Sequence, residues 1–160
     1  MAVPYVAVIG ASNALEWELA TAEALGKSLG EAGCVLVCGG LGGVMNAAAK
    51  GAEAAGGVSI GILPGDDRDV ASKHLTVTIA TGFGEARNAI VARTSDAVIA
   101  VGGEFGTLSE IALALKMGSP VIGIGTWELG RDDLDRDPIV RVNDVDEAMR
   151  ALRSLLPQMQ

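Results

Sequence analysis

The sequence predicts an α/β protein: a single doubly wound, Rossmann-like domain with three layers and a mainly parallel sheet. Short runs of Val, Ile and Ala alternate with longer amphipathic stretches, which is the pattern of repeated βαβ units. The short runs are apolar almost throughout, as expected for strands that are covered on both faces. The 160 residues match the length of one domain, and no linker, repeat or low-complexity tract divides residues 1–160.

The first half of the chain opens with an apolar, β-branched run, VPYVAVI, and continues with leucine and alanine at helical spacing from Leu15 to Leu29. Two further apolar runs, CVLV and VSIGIL, flank an alanine-rich helical stretch. A polar segment with turn residues, PGDDRDVASKH, precedes the run LTVTIA. The predicted elements are strands at 3–9, 34–37, 58–63 and 75–80, helices at 14–32 and 43–55, and a turn region at 64–74.

The second half repeats the alternation. The runs DAVIAV and PVIGIG read as buried strands, and each is preceded by a stretch with helical periodicity. An acidic, loop-like segment then leads to a short strand and a last amphipathic helix. The predicted elements are helices at 84–94, 107–117 and 144–156, strands at 96–101, 120–125 and 139–142, and a loop at 126–138.

Composition excludes several classes of function. The net charge is −8, which argues against binding to nucleic acid, because such binding depends on Lys and Arg neutralising phosphates. No apolar run reaches the length of a membrane span, and no signal peptide is recognisable. Cys34 and Cys38 would lie on one face of a strand, too far apart for an easy disulfide. We therefore expect buried thiols in a reducing cytoplasm, with a redox or metal-binding role for the two cysteines as the alternative. We also expect no metal site, no required cofactor and no membrane partner.

Eight of the 22 glycines fall in three clusters, each where a predicted strand ends and a helix begins: IGASN, CGGLGGVM and VGGEFGTLSE. In an open α/β sheet, ligands bind beyond the carboxyl ends of the strands, and free N–H groups at helix starts favour anions. Glycine lets the backbone approach a phosphate closely, although tight βα turns alone also require it. The expected ligand contacts are Gly10, Ser12, Asn13, Gly39, Gly40, Gly42, Gly43, Met45, Gly102, Gly103, Glu104, Gly106 and Thr107.

These clusters match neither common phosphate motif. The P-loop pattern G-x-x-x-x-G-K-[ST] is absent, and no G-x-G-x-x-G follows the first strand. Ser12, Asn13 and Thr107 are suitable either as helix N-caps or as phosphate contacts. The sequence thus indicates a phosphorylated small-molecule ligand held by a different arrangement of glycine-rich turns.

Three segments carry a family resemblance: GGLGGVMNAAAKGAEAAGGVSIGILPG, GEARNAIVARTSDAVIAVGG and GGEFGTLSEIALALKMGSPVIGI. Together they resemble the "lysine-decarboxylase-like" Rossmann superfamily over roughly residues 5–125. That group includes the Lonely Guy (LOG) cytokinin-activating phosphoribohydrolases and the molybdenum-cofactor carrier proteins. The likeness is greatest to the short, single-domain branch that holds the carriers. It implies a bound nucleotide or molybdenum cofactor and a homo-oligomer, a dimer or a tetramer.

The resemblance also implies two catalytic residues. In the Lonely Guy pattern P-G-G-x-G-T-x-x-E the final acid corresponds to Glu110, and the arginine of H-E-R-K corresponds to Arg87, 23 positions earlier. In the hydrolases, cleavage of the N-glycosidic bond of a nucleoside 5′-monophosphate releases ribose 5-phosphate. A carboxylate at Glu110 would stabilise the oxocarbenium-like sugar and activate water, and Arg87 would fix the substrate.

Departures from the pattern keep alternatives open. Gly102 replaces the motif's proline, Glu104 stands where glycine is usual, and H-E-R-K becomes Glu-Ala-Arg-Asn at 85–88. A carboxylate at Glu104 would repel a neighbouring phosphate. Three functions therefore remain: a carrier or binder of a pterin-type cofactor or nucleoside monophosphate, a phosphoribohydrolase, and a scaffold with a vestigial site.

Overall fold

The computed structural model describes residues 2–159. Seven strands form one sheet in the order β4-β3-β2-β1-β5-β6-β7, and every neighbouring pair is parallel. The strands are β1 (Tyr5–Gly10), β2 (Val35–Cys38), β3 (Val58–Leu63), β4 (Val77–Ala80), β5 (Ala97–Val101), β6 (Val121–Ile124) and β7 (Val140–Val142). The longer helices are α1 (Glu16–Glu31), α2 (Val44–Ala54), α3 (Arg87–Thr94), α4 (Phe105–Lys116) and α5 (Val145–Leu155).

The predicted α/β class and doubly wound, parallel sheet are confirmed. Every predicted strand and helix is present, with ends that differ by one or two residues in most cases. The predicted helix 84–94 divides into a 3-10 turn at Gly84–Ala86 and α3. The single domain over 1–160 stays a prediction, and Met1 and Gln160 lie outside the described residues.

The helix predicted at 107–117 begins earlier, at Phe105. Glu104 is extended, with φ −109° and ψ −159°, and its carbonyl accepts the first hydrogen bond of α4, from the Leu108 N–H at 3.0 Å. Glu104 is therefore the N-cap, and Thr107 is a helical residue rather than a cap. Gly106 and Thr107 therefore lie inside the first turn of α4.

Two apolar layers enclose the sheet. On one face, α1, α2 and α5 pack leucine, alanine and methionine side chains against alternate residues of the central strands, such as Val8 and Ile99. On the other face, α3 and α4 pack against the intervening residues, such as Ile9 and Ala100. Burial on both faces explains why the central strands β1, β2, β5 and β6 are apolar throughout rather than alternating, whereas the edge strands β4 and β7 are partly exposed.

The strand order reverses beside β1. The chain runs outward from β1 through β2 and β3 to β4, and then returns to pair β5 with the opposite side of β1. Gly10 at the end of β1 is directly beside Val101 at the end of β5. The connections that leave these two strands therefore diverge and open a crevice at the carboxyl edge, which is where open α/β sheets bind ligands.

Helices α1 and α2 cross with their backbones in contact. A Cβ on Gly26 would overlap the carbonyl of Ala48, and a Cβ on Gly51 would overlap the carbonyl of Glu23. Part of the glycine excess therefore serves helix packing, on the face of the sheet that α1, α2 and α5 cover.

Within residues 2–159, each helix is too short or too polar to cross a lipid bilayer. In the same residues, His, Cys, Asp and Glu form no group of three or more that is arranged to hold a metal ion.

The contact between α1 and α2 predicts the effect of one added methyl group. Gly26→Ala should lower the free energy of unfolding by about 1–2 kcal/mol, because steric strain with Ala48 exceeds the gain in helix propensity. Urea denaturation measures the change. Gly130→Ala is the matched control, since its Cβ would meet open space. Equal stability of the Gly26 variant and the wild type would contradict the close packing.

Candidate functional site

The crevice at the strand reversal is a cleft of about 360 Å³, within the usual range for small-molecule sites. The turn after β1 and the first turn of α4 form two of its walls. The start of α3 and the loop after β3 complete them. The lining residues are Gly10, Ala11, Ser12, Asn13, Met45, Pro64, Glu85, Arg87, Asn88, Glu104, Gly106, Thr107 and Glu110.

Nine of the fifteen residues expected from the sequence line this cleft: Gly10, Ser12, Asn13, Met45, Arg87, Glu104, Gly106, Thr107 and Glu110. Six others do not: Gly39, Gly40, Gly42, Gly43, Gly102 and Gly103. Four lining residues were not expected as contacts: Ala11, Pro64, Glu85 and Asn88. Glu85 and Asn88 were visible in the sequence as neighbours of Arg87, whereas nothing in the spacing of Ala11 or Pro64 singles them out.

Two of the six glycines lie behind the cleft and leave room for the side chains that form it. A Cβ on Gly39 would overlap the Arg87 guanidinium and lie 2.6 Å from the sulfur of Met45. Gly43 has φ +61°, and a Cβ there would overlap the carbonyl oxygens of Ala11 and Ser12. These glycines support the lining residues instead of contacting the cleft.

Arg87, the first residue of α3, brings positive charge into the cleft. Its Nε is buried and has no hydrogen-bond partner in the part of the chain that the structure describes. An unpaired charged donor is costly in a protein interior, and nearly all buried polar groups have partners. Because the Arg87 side chain also lines the cleft, its terminal nitrogens rather than Nε are positioned to bind an acceptor supplied from outside the chain.

Glu110 reaches the cleft from the second turn of α4 and is only 8% exposed. Burial raises the pKa of its carboxyl to about 7, although the attraction of Arg87 lowers it. Among the described residues, no ion pair within 4 Å joins Glu110 to Arg87. Near neutral pH the Glu110 carboxyl therefore exists in both the protonated and ionised forms, as a proton-transfer group requires.

The start of α4 has no side-chain cap, although its residues line the cleft. By contrast, the Asp144 carboxylate caps α5 by accepting the Glu147 N–H at 2.8 Å. The first N–H groups of a helix lack intrahelical partners and attract anions through the helix dipole. The N–H groups of Gly106 and Thr107 are thus left for an anionic group in the cleft.

A buried carboxylate that the sequence analysis missed joins two walls of the cleft. Glu18, on the first turn of α1, accepts the Leu15 N–H at 2.6 Å and the Gly103 N–H at 3.3 Å. It thereby links the start of α1 to the turn between β5 and α4. The expected caps Ser12 and Asn13 precede the actual N-cap, Leu15, and so do not cap α1. The sequence signal for this contact is a Glu three residues after the N-cap. That pattern is normally recognised when the N-cap is Ser or Thr, and here the N-cap is Leu15.

Cys38 lies beneath the cleft and does not line it. Its side chain is fully buried, and burial raises the pKa of the thiol to about 11, against the effects of the Gly40 N–H and Arg87. The thiol is therefore protonated at neutral pH and is shielded from any ligand in the cleft.

The fold and the cleft agree with the class of protein that the sequence defines. The chain belongs to the SLOG cluster4 family, whose model matches residues 3–149. The resemblance to the lysine-decarboxylase-like, LOG-containing superfamily that the motifs predict is thereby confirmed.

Among particular proteins, the chain is 45% identical over 124 residues to an uncharacterised protein of Archaeoglobus fulgidus, covering 78% of this chain and 82% of that one. It is similar to the molybdenum cofactor binding protein from Rippkaea orientalis, with a TM-score of 0.88, 36% identity and coverage of 97% and 98%. It is also similar to the molybdenum cofactor carrier protein from Chlamydomonas reinhardtii, with a TM-score of 0.86, 37% identity and coverage of 98% and 99%.

The raised pKa of Glu110 predicts that this residue destabilises the protein at alkaline pH. The folded state favours the protonated carboxyl, so ionisation above pH 7 costs on the order of 3 kcal/mol relative to the unfolded chain, where the pKa is near its ordinary 4.5. The penalty is small below pH 4.5 and complete above pH 7. Glu110→Gln should therefore be about 1–3 kcal/mol more stable than the wild type at pH 8, and the gap should shrink at pH 5.

Chemical denaturation at the two pH values measures this difference. Glu104→Gln, which changes an exposed carboxylate of the same cleft, is the matched control and should show no comparable change between pH 5 and pH 8. A stability gain in the Glu110 variant that is the same at both pH values would mean that ionisation of this residue is not its cause.

Proposed function

We propose that the protein binds a phosphorylated small molecule in this cleft, with the phosphate at the start of α4, and that it serves as a carrier of a pterin-type molybdenum cofactor or as a nucleotide-binding protein. The observation that carries the proposal is the pairing of an uncapped helix start with the Arg87 guanidinium in one cleft. Neither has a hydrogen-bond partner among the described residues, and a phosphate supplies acceptors to the helix N–H groups and to the terminal nitrogens of Arg87.

The similarity to molybdenum cofactor proteins supports the cofactor as the ligand. Those proteins match nearly the whole length of this chain at more than 35% identity. The residues present also fit such a cargo, because an uncapped helix start accepts a terminal phosphate. Since Cys38 is buried and protonated, the cofactor would be held through its organic part and phosphate rather than through that sulfur.

The charge balance of the cleft limits how tightly an anion can bind. Glu85, Glu104 and Glu110 line the cleft with Arg87 as the one cationic side chain among its described lining residues. A protonated Glu110 removes one of the three negative charges, so binding of a phosphate and protonation of Glu110 should favour each other. The cleft is thus suited to reversible binding, as a carrier that must release its cargo requires.

The first prediction of the proposal concerns Arg87. Isothermal titration at low salt with AMP, GMP and molybdopterin should show saturable binding of at least one of them. Arg87→Gln should weaken that binding about tenfold to hundredfold, because a charge-assisted hydrogen bond to the phosphate is lost. Absence of binding by every ligand in the wild type would overturn the proposal.

The matched control for Arg87 is on the same helix. Arg93→Gln removes an equal charge from an exposed position of α3 outside the cleft and should leave affinity unchanged. Circular dichroism of both variants verifies that the fold is retained. Equal losses of affinity in the two variants would assign the effect to net charge instead of contact.

A second candidate function, phosphoribohydrolase activity, is favoured by Glu110. This carboxyl is nearly buried, has a pKa of about 7 and lines the same cleft as the phosphate-binding turn. Its ionised form could stabilise positive charge on a ribose ring and accept a proton from the attacking water, as carboxylates do in glycoside hydrolysis. Arg87 would then hold the substrate.

This candidate predicts that incubation with AMP releases adenine and ribose 5-phosphate in amounts that chromatography detects. Glu110→Gln should abolish the release while retaining AMP binding, because the substitution removes the base but keeps the shape of the cleft. If the wild type binds AMP but releases no adenine or ribose 5-phosphate, the hydrolase candidate is wrong and the carrier function is the one that remains. Release that persists in the Glu110 variant would remove this residue from the mechanism.

The homo-oligomer and the cytoplasmic location stay predictions.

A further inference from the structure

A second, smaller groove of about 270 Å³ lies between α3 and α4 and adjoins the cleft. Glu85, Asn88 and Gly106 line both, so the two form a continuous surface. The groove differs from the cleft in having an apolar floor, which Phe105 and Leu113 provide. A ligand whose phosphate lies at Gly106 could therefore extend into this groove.

Phe105 presents an aromatic ring to the groove at the same turn that would hold the phosphate. Its side chain is 78% exposed, the largest exposed fraction among the large apolar side chains of the described residues. The ring is supported by Trp127, with ring centroids 5.4 Å apart, and the Trp127 indole N–H donates to the Glu104 carbonyl at 3.1 Å. The open face of a supported ring is a stacking platform for a planar heterocycle.

Hydrogen-bond acceptors dominate the polar side of the groove. The Asn88 amide N–H donates to the Ser109 hydroxyl at 3.0 Å, and that hydroxyl donates to the Gly106 carbonyl at 2.6 Å. This leaves the side-chain carbonyl of Asn88 as an acceptor and its second amide N–H as the one remaining donor. The Glu85 carboxylate accepts no hydrogen bond from the described residues and has two oxygens available. A heterocycle that contacts Glu85 must therefore present donors, ideally two adjacent N–H groups that match a carboxylate.

We propose that this groove binds the heterocycle of the phosphorylated ligand, and that it selects a 2-amino-4-oxopyrimidine ring, the unit common to guanine and pterin. The ring stacks on Phe105, and its amino and ring N–H groups donate to Glu85. The inference rests on the proposed function, because the phosphate at the start of α4 fixes the end from which the ligand enters the groove.

A set of phosphorylated probes tests the groove separately from the phosphate site. Ribose 5-phosphate carries the phosphate without a ring, and IMP differs from GMP only by lacking the 2-amino group. We expect GMP to bind more tightly than IMP by about five- to tenfold, and ribose 5-phosphate to bind most weakly. 6-Hydroxymethylpterin phosphate identifies the source of the ring: tighter binding than GMP indicates a pterin, and weaker binding indicates a guanine nucleotide.

Two substitutions assign the contacts. Phe105→Ala should weaken GMP binding about tenfold or more and leave ribose 5-phosphate unchanged, because only the stacked ring is lost. Glu85→Gln should remove the preference for GMP over IMP. The matched controls are Phe83→Ala, an exposed phenylalanine outside both cavities, and Glu104→Gln, a cleft carboxylate that should shift both nucleotides equally.

The outcomes separate the two proposals. Failure of ribose 5-phosphate, of every nucleotide and of 6-hydroxymethylpterin phosphate to bind would overturn the phosphate site and this groove with it. Binding of ribose 5-phosphate as tightly as GMP, equal affinity for GMP and IMP, or an effect of Phe105→Ala on ribose 5-phosphate would overturn the groove alone. Because the Phe105 side chain is largely exposed, its removal should lower the thermal midpoint only slightly, through loss of the contact with Trp127. A loss of GMP affinity with unchanged affinity for ribose 5-phosphate therefore reports contact with the ligand.

Discussion

The reversal of strand order beside β1 is the constraint on which the candidate site depends. Because β5 pairs with the side of β1 opposite β2, the turns after β1 and β5 leave the sheet next to each other and diverge. The crevice between them receives the start of α4 from one strand and the Gly10–Asn13 turn from the other. Arg87, at the start of α3, lies at the same edge of the sheet and therefore lines this crevice.

Arg87, Glu110 and the first turn of α4 share one physical property. Each lacks the partner that would make it most stable in the isolated chain. Arg87 lacks a hydrogen-bond acceptor, the Glu110 carboxylate lacks solvation of its charge, and the start of α4 lacks a cap. A fold optimised for stability alone would satisfy all three. Their concentration in one cleft therefore distinguishes a binding site from an ordinary surface depression.

Hydrophobic periodicity and the positions of the glycines were enough to predict the order of strands and helices and the edge where the glycine-rich turns meet. They could not predict which residues at that edge form the wall, because that depends on side-chain packing. Gly39 was expected at the ligand, but the Arg87 guanidinium occupies the space beside it. Glu18 was missed because it contacts two backbone segments that are distant from each other in the sequence. The start of α4 was predicted two residues late because Thr107 is a residue type common at N-caps and Glu104 is not.

The buried position of Glu18 has a consequence for how the site would be mapped by mutagenesis. This carboxylate accepts hydrogen bonds from Leu15 and Gly103, so it links the turn after β1 to the turn before α4. In a scan of single substitutions that measures only ligand affinity, a loss of affinity at Glu18 would look like the loss of a ligand contact. Glu18 does not line the cleft, however, and acts through the turns that it holds. Residues that hold the turns in place can therefore be told apart from residues that contact the ligand only when the conformation of the turns is measured together with the affinity.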